Sequence, residues 1–335
     1  MLASLLLFAA ADAAIPKPGP IKAFGDWAVA CDNVHACEMT SLIPESEAAD
    51  GSDSGAFFSI ARAAGPGGGF TFEASSNGGV AGAVSVQVDG STVASGSVGN
   101  DLMSLSGEPA LRIVAAMANG KRLALVDAGG KEVAHASLAG SSAALRFIDA
   151  DQGRAGTVTA AVARGPRPAS AVPPPPPLPH VPSLAGAGVA ATVTPALRKA
   201  MIAASECDAA DVGTDRLEGN ALGGGKTLVL LPCGAGAYNF SSIAFIVSGG
   251  RAVLARFDSP PGWSGVEDGK PMLVNAEWDA KTSQLSSYAK GRGLGDCGSA
   301  ERYVWDGTMF RLVGATQMGE CRGSVNWLTI WRAAR

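Results

Sequence analysis

Residues 166–182 read PRPASAVPPPPPLPHVP, and this stretch decides how the rest of the chain is organised. Five consecutive prolines cannot enter a helix or a central strand, because proline lacks an amide proton and fixes φ, so they favour an extended polyproline II conformation. Gly/Ala-rich sequence follows the prolines. We therefore predict a semi-rigid Pro/Gly/Ala-rich linker over 166–193 that joins two folded domains, 20–165 and 194–335.

The composition favours strands and turns over long charged helices. Of the 335 residues, 47% are hydrophobic, only 17% are charged and 44 are glycine. Soluble proteins average about 25% charged residues and about 7% glycine. We predict a mainly β (α+β) fold with short helices, arranged as two antiparallel β-rich domains.

The N-terminal domain opens with a hairpin signature, FGDWAVACDNVHACEM at residues 24–39. Trp27, Val29 and Cys31 alternate with small or polar residues, as in a half-buried strand, and Cys37 begins the returning strand. Further strands are predicted at 57–62, 70–74, 83–88, 122–127 and 132–137, and short helices at 109–118 and 141–151.

The C-terminal domain is predicted to begin with a helix. Thr194 is a suitable N-cap, Pro195 suits the first helical turn, and the helix extends to about Ser205. Strand-forming runs and turns follow, including a turn at 279–282 and a hairpin around Asp306-Gly307. No parallel strand–helix–strand rhythm appears, which favours antiparallel sheets.

The six cysteines indicate disulfides. An even number in an exported chain is typical of a disulfide framework, although the sequence leaves many connectivities open. A zinc site would normally show two close cysteine pairs, and only one pair here is close, so we expect no metal site. Sequence order favours the local pairs Cys31–Cys37, Cys207–Cys233 and Cys297–Cys321.

The start of the chain resembles an export signal. Residues 2–11 form an apolar run that is too short to span a bilayer, and the small-residue tripeptide Ala11-Asp12-Ala13 follows it. We predict a signal peptide over 1–14 and a periplasmic location; a buried N-terminal strand is the alternative. No other apolar run is long enough to cross a bilayer, so we expect no transmembrane span in the mature chain.

Two classes of ligand are disfavoured. The net charge of −4 gives no basic field for nucleic acid. In KGRGLGDCG, at residues 290–298, Gly293, Gly295 and Gly298 have the spacing of a dinucleotide-binding loop. Strand-forming residues follow them, in place of the helix that would hold the pyrophosphate, so we expect no nucleotide and no cofactor.

Catalytic signatures are also scarce. The chain has three histidines, none of them lies in 194–335, and the cysteines are expected to be bridged, so no nucleophile–base set is evident. We therefore predict a non-enzymatic protein. The alternative is a periplasmic hydrolase that acts on glycan or peptide through two carboxylates. The candidates for that pair are Glu277, Asp279, Asp296 and Asp306.

Aromatic residues give the best functional lead. Five of the six tryptophans and all three tyrosines lie in the predicted C-terminal domain. Aromatic faces beside a few charges can bind a sugar or a peptide, whereas aromatics on strands also commonly fill the core. The five tryptophans are Trp263, Trp278, Trp305, Trp327 and Trp331. The candidate ligand-binding residues are Tyr288, Lys290, Arg292, Asp296 and Trp305, and the expected partner is an envelope glycan or a protein.

Several segments together resemble one known family. They are FGDWAVACDN at 24–33, LRFIDADQGRAGT at 145–157, LPCGAGAYNFSSIAFIV at 231–247, LVNAEWDAKTSQLSSYAKGRGLGDCG at 273–298 and YVWDGTMF at 303–310. The family is the proteobacterial domain of unknown function 1176, and the resemblance spans nearly the whole mature chain. It implies an exported, periplasmic protein and carries over no catalytic residues. The opening hairpin also resembles the invasion-associated locus B family, which implies an envelope role.

Overall fold

A computed structural model describes residues 15–48, 56–76, 80–262, 266–267 and 270–335. The predicted signal peptide, 1–14, and Trp263 lie outside the described residues. Within these ranges the protein is mainly β with a few short helices. Each pairing between its strands is antiparallel, which confirms the predicted fold class.

The N-terminal half carries two sheets. Its strands are β1 (Ile21–Phe24), β2 (Trp27–Cys31), β3 (Cys37–Ser41), β4 (Ala56–Arg62), β5 (Phe70–Ser76), β6 (Gly82–Val88), β7 (Ser91–Val98), β8 (Leu102–Ser106), β9 (Arg122–Asp127) and β10 (Glu132–Ser137). Its helices are α1 (Glu45–Ala48), α2 (Glu108–Met117) and α3 (Ser141–Asp151). One sheet has the order β1-β2-β3-β4-β5-β8, and the other has the order β10-β9-β6-β7.

The C-terminal half carries two further sheets. A 3-10 turn (Ala169–Ala171) precedes this half, whose helices are α4 (Pro195–Ser205) and α5 (Ala209–Val212). Its strands are β11 (Gly219–Gly223), β12 (Lys226–Ala235), β13 (Phe240–Ser248), β14 (Arg251–Leu254), β15 (Val266–Glu267), β16 (Lys270–Val274), β17 (Glu277–Asp279), β18 (Gln284–Lys290), β19 (Gly298–Trp305), β20 (Phe310–Met318) and β21 (Leu328–Arg332). The sheet orders are β11-β12-β13-β16-β15, with β14 also on β13, and β17-β18-β19-β20-β21.

The predicted elements agree with most of these bounds. The five strands predicted after the opening hairpin correspond to β4, β5, β6, β9 and β10, and the three predicted helices correspond to α2, α3 and α4. Strands β7 and β8 were not predicted. Their sequences, STVASGSV and LMSLS, are rich in serine and contain few β-branched or aromatic residues, so tertiary pairing decides their conformation.

Strand β2 is buried on both faces and belongs to two cores. Trp27 and Val29 pack with Phe58 in the core of the N-terminal half. Ala28 and Ala30 point the other way, into the core that the C-terminal half builds around its buried aromatics. Because successive side chains of a strand point to opposite faces, one strand can serve both cores. Its alanine face allows close approach of the C-terminal half.

Polar contacts reinforce this junction. The Arg322 guanidinium donates to the carbonyl oxygens of Ile43 and Gly25, both at 2.8 Å, and pairs with Asp26. The Thr40 and Ser324 hydroxyls lie 3.1 Å apart and are buried. These groups come from distant parts of the sequence, so the junction is specified by hydrogen bonding as well as by the alanine face.

The proline segment lies against both halves. Pro173 and the next three prolines line a cavity with His35 and Asp151. Further along, the Val181 amide donates to Ala334 O at 2.8 Å, and the Leu184 amide donates to Trp305 O at 2.8 Å. The segment thus crosses from one half to the other along their surfaces.

Three disulfides pair the cysteines in sequence order: Cys31–Cys37, Cys207–Cys233 and Cys297–Cys321. The first joins facing residues of β2 and β3. The third ties the loop after β18 to the segment between β20 and β21. No helix among the described residues is long and apolar enough to cross a membrane.

Candidate functional site

The candidate site is built on the hairpin of β18 and β19. Along β18, Leu285 and Ala289 are buried, while Tyr288 is 38% exposed. This alternation follows from the two-residue period of a strand, and it puts Tyr288 and Lys290 on the outer face of the sheet. The sequence thus positions both side chains by strand register alone.

Two asparagine side chains hold the backbone of this strand. Asn239 Oδ1 accepts from the Lys290 amide at 3.1 Å, and Asn239 Nδ2 donates to Lys290 O at 2.8 Å. Asn275 Nδ2 donates to Tyr288 O at 2.9 Å. Because these hydrogen bonds hold the backbone of Tyr288 and Lys290, the two outward side chains leave the strand from fixed positions.

Tyr288 stacks on Trp327, which precedes β21. Their ring centroids lie 4.9 Å apart with an interplanar angle of 17°. The Trp327 indole donates to Gly295 O at 3.2 Å, so the loop before β19 holds the ring in place. Lys290 Nζ lies 5.9 Å from the Tyr288 ring centroid. Two stacked rings with a cation at their edge form a flat, amphipathic surface.

Exposed aliphatic side chains extend this surface. Leu294 is 73% exposed and Val325 is 55% exposed. Together with Tyr288, Lys290 and Trp327 they line a shallow cavity of about 380 Å³. We call these five residues the aromatic platform. A contiguous exposed apolar surface with few charges is typical of a binding site.

Arg292 and Asp296 do not join the platform but bind each other. Arg292 Nε donates to Asp296 Oδ1 at 2.7 Å, and its terminal nitrogen donates to the other carboxylate oxygen. The Gly323 amide also donates to Asp296, at 2.7 Å. Burial alone would raise the pKa of Asp296, but the bonds from Arg292 and Gly323 outweigh it and lower the pKa below its usual value. We call this ion pair the Arg292–Asp296 clasp, because it joins two residues of the loop at 291–297, next to the Cys297–Cys321 bridge.

The glycines of KGRGLGDCG serve this local geometry. Strand β19 follows them directly, so no helix is there to receive a phosphate. Gly298 has a φ of 141°, and a Cβ there would lie 1.9 Å from Ala289 O and 2.8 Å from the Trp327 ring. Only glycine fits between the two strands and the indole at this position.

Trp305 was wrongly predicted as a ligand-binding residue. It is only 2% exposed and packs against Phe310, with ring centroids 5.2 Å apart. Lys226 Nζ covers its ring at 5.4 Å from the centroid. Trp305 is the last residue of β19 and lies three positions after the exposed Arg302. Because side chains alternate between the two faces of a strand, Trp305 points to the opposite face, into the core.

The four carboxylates considered for acid–base chemistry give it little support. The bond that Asp279 accepts from the Thr282 hydroxyl lowers the pKa of Asp279. Burial alone would raise the pKa of Asp306, but hydrogen bonds, first among them the one from Arg311 Nε, lower it, as in Asp296. A general acid near neutral pH needs a raised pKa instead. Glu277 is an exposed residue of β17.

Carboxyl groups with a raised pKa lie elsewhere and inside the protein. Burial is the first cause for Glu38, Asp258 and Glu301. Burial raises the pKa of Tyr303 well above its usual value, and the nearby carboxyl groups of Glu301 and Asp258 raise it further.

The sequence pattern missed three members of the platform. Trp327 was one of the noted tryptophans but was not placed beside Tyr288, since about forty residues separate them; Leu294 and Val325 gave no signal. An indole just before a strand and a tyrosine in the outward register of another could have suggested a shared face.

Comparisons with known proteins agree with the sequence motifs. Residues 21–334 match the family described as "Protein of unknown function (DUF1176)". The chain belongs to this family. The resemblance predicted from the motifs is therefore confirmed, and it brings no established activity.

Two individual proteins are similar to this chain. It is 37% identical over 217 residues to the uncharacterized protein YpfG of Escherichia coli (strain K12). That match covers 58% of this chain and 59% of YpfG, so the chain spans about three-fifths of its relative's length. The crystal structure of invasion associated protein B from Bartonella henselae aligns with a TM-score of 0.30 and 19% identity, over 40% of this chain and 99% of that protein.

Proposed function

We propose that this protein is an exported, periplasmic cell-envelope protein that binds a glycan through the aromatic platform, without catalysing a reaction on it. The observation that carries the proposal is the exposed Tyr288–Trp327 stack with Lys290 at its edge. The hydrophobic face of a sugar ring packs well on a flat aromatic surface. A nearby ammonium can donate hydrogen bonds to hydroxyl or carboxylate oxygens.

The framework around the platform supports a binding role. The platform is held by the Arg292–Asp296 clasp, the Cys297–Cys321 bridge and the two asparagines on β18. A site whose side chains are already in place pays less ordering entropy when a ligand binds. Such preorganisation suits a rigid polysaccharide better than a disordered chain.

The three disulfides are compatible with export and an envelope location. Three disulfides persist only in an oxidising compartment in most organisms, and the periplasm is one. The apolar N-terminal run with its small-residue tripeptide, which we interpret as a signal peptide, also supports export. The most abundant rigid glycan in that compartment is the cell wall, which we therefore propose as the target.

The test is co-sedimentation of the oxidised protein with purified peptidoglycan sacculi. We expect wild type in the pellet and no released fragments in the supernatant. Tyr288→Ala and Lys290→Ala should each lower the bound fraction several-fold, because each removes one part of the recognition surface. Val253→Ala and Lys281→Ala, which alter exposed residues outside the platform, serve as matched controls and should bind like wild type.

The other outcomes are equally informative. Released fragments would make the carboxylate hydrolase the leading function instead. Wild type that stays in the supernatant without releasing fragments would remove the cell wall as the target. Pelleting that Tyr288→Ala does not reduce would show that the wall is bound through another surface.

A further inference from the structure

A second cavity lies in the N-terminal half, far along the sequence from the platform. It has a volume of about 390 Å³ and opens between the 66–69 turn, the start of α2 and the 158–164 segment. Arg62 and Arg164 line it, together with Phe70 and Leu111. It therefore combines cationic groups with apolar walls.

Arg62, which lines this cavity, belongs to a buried cluster with Arg154 and Asp149 that carries more positive than negative charge. Arg62 and Arg154 are 4% and 0% exposed, and the buried carboxylate that pairs with Arg62 is Asp149, while Asp32 and Glu38 line a different cavity with Arg62. Arg62 pairs with Asp149 at 3.2 Å. Arg154 donates instead to neutral acceptors, among them Gln152 Oε1 at 2.7 Å. The buried cluster thus has a surplus of one positive charge, which is costly unless an anion compensates it.

Asp149 has no free acceptor position for a hydrogen bond from a second guanidinium. Besides Arg62, it accepts from the backbone amides of Ala161, Val162 and Ala163, at 2.7 to 3.2 Å. A carboxylate offers about four acceptor positions, and these bonds fill them.

Arg62 shows the effect of the excess positive charge most clearly. Its Nε is buried and has no hydrogen-bond partner among the described residues. The guanidinium stacks on the Phe70 ring at 4.1 Å from the centroid. Burial, together with repulsion from Arg154 and Arg164, lowers the pKa of Arg62 to about 10, although the attraction of Asp149 opposes this shift.

The mouth of the cavity adds further positive potential. Arg164 is exposed and is anchored by its Nε, which donates to Ala160 O at 3.1 Å. Helix α2 begins at the cavity, and its N-cap Gly107 supplies no side-chain acceptor for the first amides. A Cβ at Gly67 or Gly69 would meet nothing within 4 Å, so these glycines leave the mouth open. Glu108 opposes this field from the rim, where it is 68% exposed and lies 3.9 Å from Arg112.

We propose that this cavity is a binding site for a phosphate monoester, held by Arg62 and Arg164. Arg62, Arg154 and Arg164 outnumber the carboxylates Asp149 and Glu108 at this site, so its net charge is positive and favours a group that carries roughly −1.5 to −2 at neutral pH. Planar guanidinium groups bind phosphate oxygens in pairs. The apolar walls fit the group that carries the phosphate.

The experiment is calorimetric titration of the oxidised full chain with inorganic phosphate at low ionic strength. We expect saturable binding that Arg164→Ala weakens about tenfold, because it removes a charge-assisted contact. Glu108→Gln should tighten binding, since it removes the opposing charge. Arg146→Ala, which removes the same charge from the exposed face of α3, should bind phosphate like wild type. Arg164 and Glu108 are exposed, so both variants are expected to fold, which circular dichroism verifies.

A second arm identifies the source of the phosphate group. The protein is pelleted with phosphatidylcholine vesicles that contain or lack phosphatidic acid. Recruitment by phosphatidic acid that depends on Arg164 assigns the site to a lipid headgroup, and binding of free phosphate alone assigns it to a soluble ester. Absence of binding in both arms, or equal binding by wild type and Arg164→Ala, would overturn the proposal.

Discussion

Two glycine-rich hairpin loops in this protein are fixed by opposite charges. The loop at 65–69, between β4 and β5, turns its carbonyls towards the buried Arg154, which donates to Gly65 O and Gly68 O. The loop at 291–297, between β18 and β19, is closed by the Asp296 carboxylate. The first loop borders a cationic cavity and the second borders the aromatic platform. Glycine content indicates a turn, but the charge that fixes the turn decides what the neighbouring surface can bind.

The largest loss of stability is expected from removing Arg154, the cation that holds the first loop. Arg154→Met should lower the free energy of unfolding by about 3–5 kcal/mol, because it leaves several buried carbonyl oxygens without a donor. Urea denaturation of the variant and wild type measures this difference. Arg146→Met, on the exposed face of α3, is the control and should change stability by less than about 0.5 kcal/mol. An equally small loss in Arg154→Met would show that the loop does not depend on that guanidinium.

The second-largest loss of stability is expected from removing the disulfide of the second loop. The Cys297–Cys321 bridge has a sequence separation of 24. Replacing both cysteines by alanine should cost about 3 kcal/mol, mainly because the unfolded chain regains entropy. Replacing Cys31 and Cys37, with a separation of 6, should cost about 1 kcal/mol less in the same denaturation assay, since a shorter loop is released. The reverse order would contradict a chain-entropy origin.

The clasp of the second loop should give a smaller, pH-dependent effect. Because the folded pKa of Asp296 is lowered, its ionised form stabilises the protein fully above the unfolded pKa of about 4, and this contribution is lost as the pH falls through the folded value. Asp296→Asn should therefore cost about 2 kcal/mol at pH 7 and much less at pH 2.5. Thermal unfolding across this range is the measurement. A deficit that stays constant with pH would mean that the charge of Asp296 is not involved.

The smallest effect on stability is expected on the platform itself. Tyr288→Ala removes a half-exposed stacked ring and should cost about 1 kcal/mol or less in the urea assay. Trp305→Ala is the informative contrast, because this ring is in the core and its removal should cost about 3–5 kcal/mol. Similar losses for the two variants would mean that Tyr288 also serves the core and is less available to a ligand.

These contrasts explain what the sequence could and could not predict. Strand β5 was predictable because buried apolar residues alternate with less buried residues along it, and β4 because it is an apolar run with two phenylalanines and an isoleucine. The second loop carries Arg292 and Asp296 within its own seven residues, so its charges were visible. The first loop takes its cation from Arg154, nearly ninety residues away, and only the folded chain brings the two together.

Burial of a given aromatic was equally hard to predict. Trp305 and Trp327 both belong to strand-rich sequence, and local composition does not separate them. The register of β19 sends Trp305 inward, whereas Trp327 precedes β21 and lies on the outer face of Tyr288. The contact of the alanine face of β2 with the C-terminal half was not predictable either, since alanine occurs both at solvent-exposed positions and in tight junctions.

The most direct test of the central claim is hydrogen–deuterium exchange of the oxidised protein with and without soluble peptidoglycan fragments. We predict slower exchange in peptides that cover 288–296 and 323–328, with little change at 63–70 and 158–164. Unchanged exchange at the platform, at fragment concentrations that block pelleting with sacculi, would contradict it.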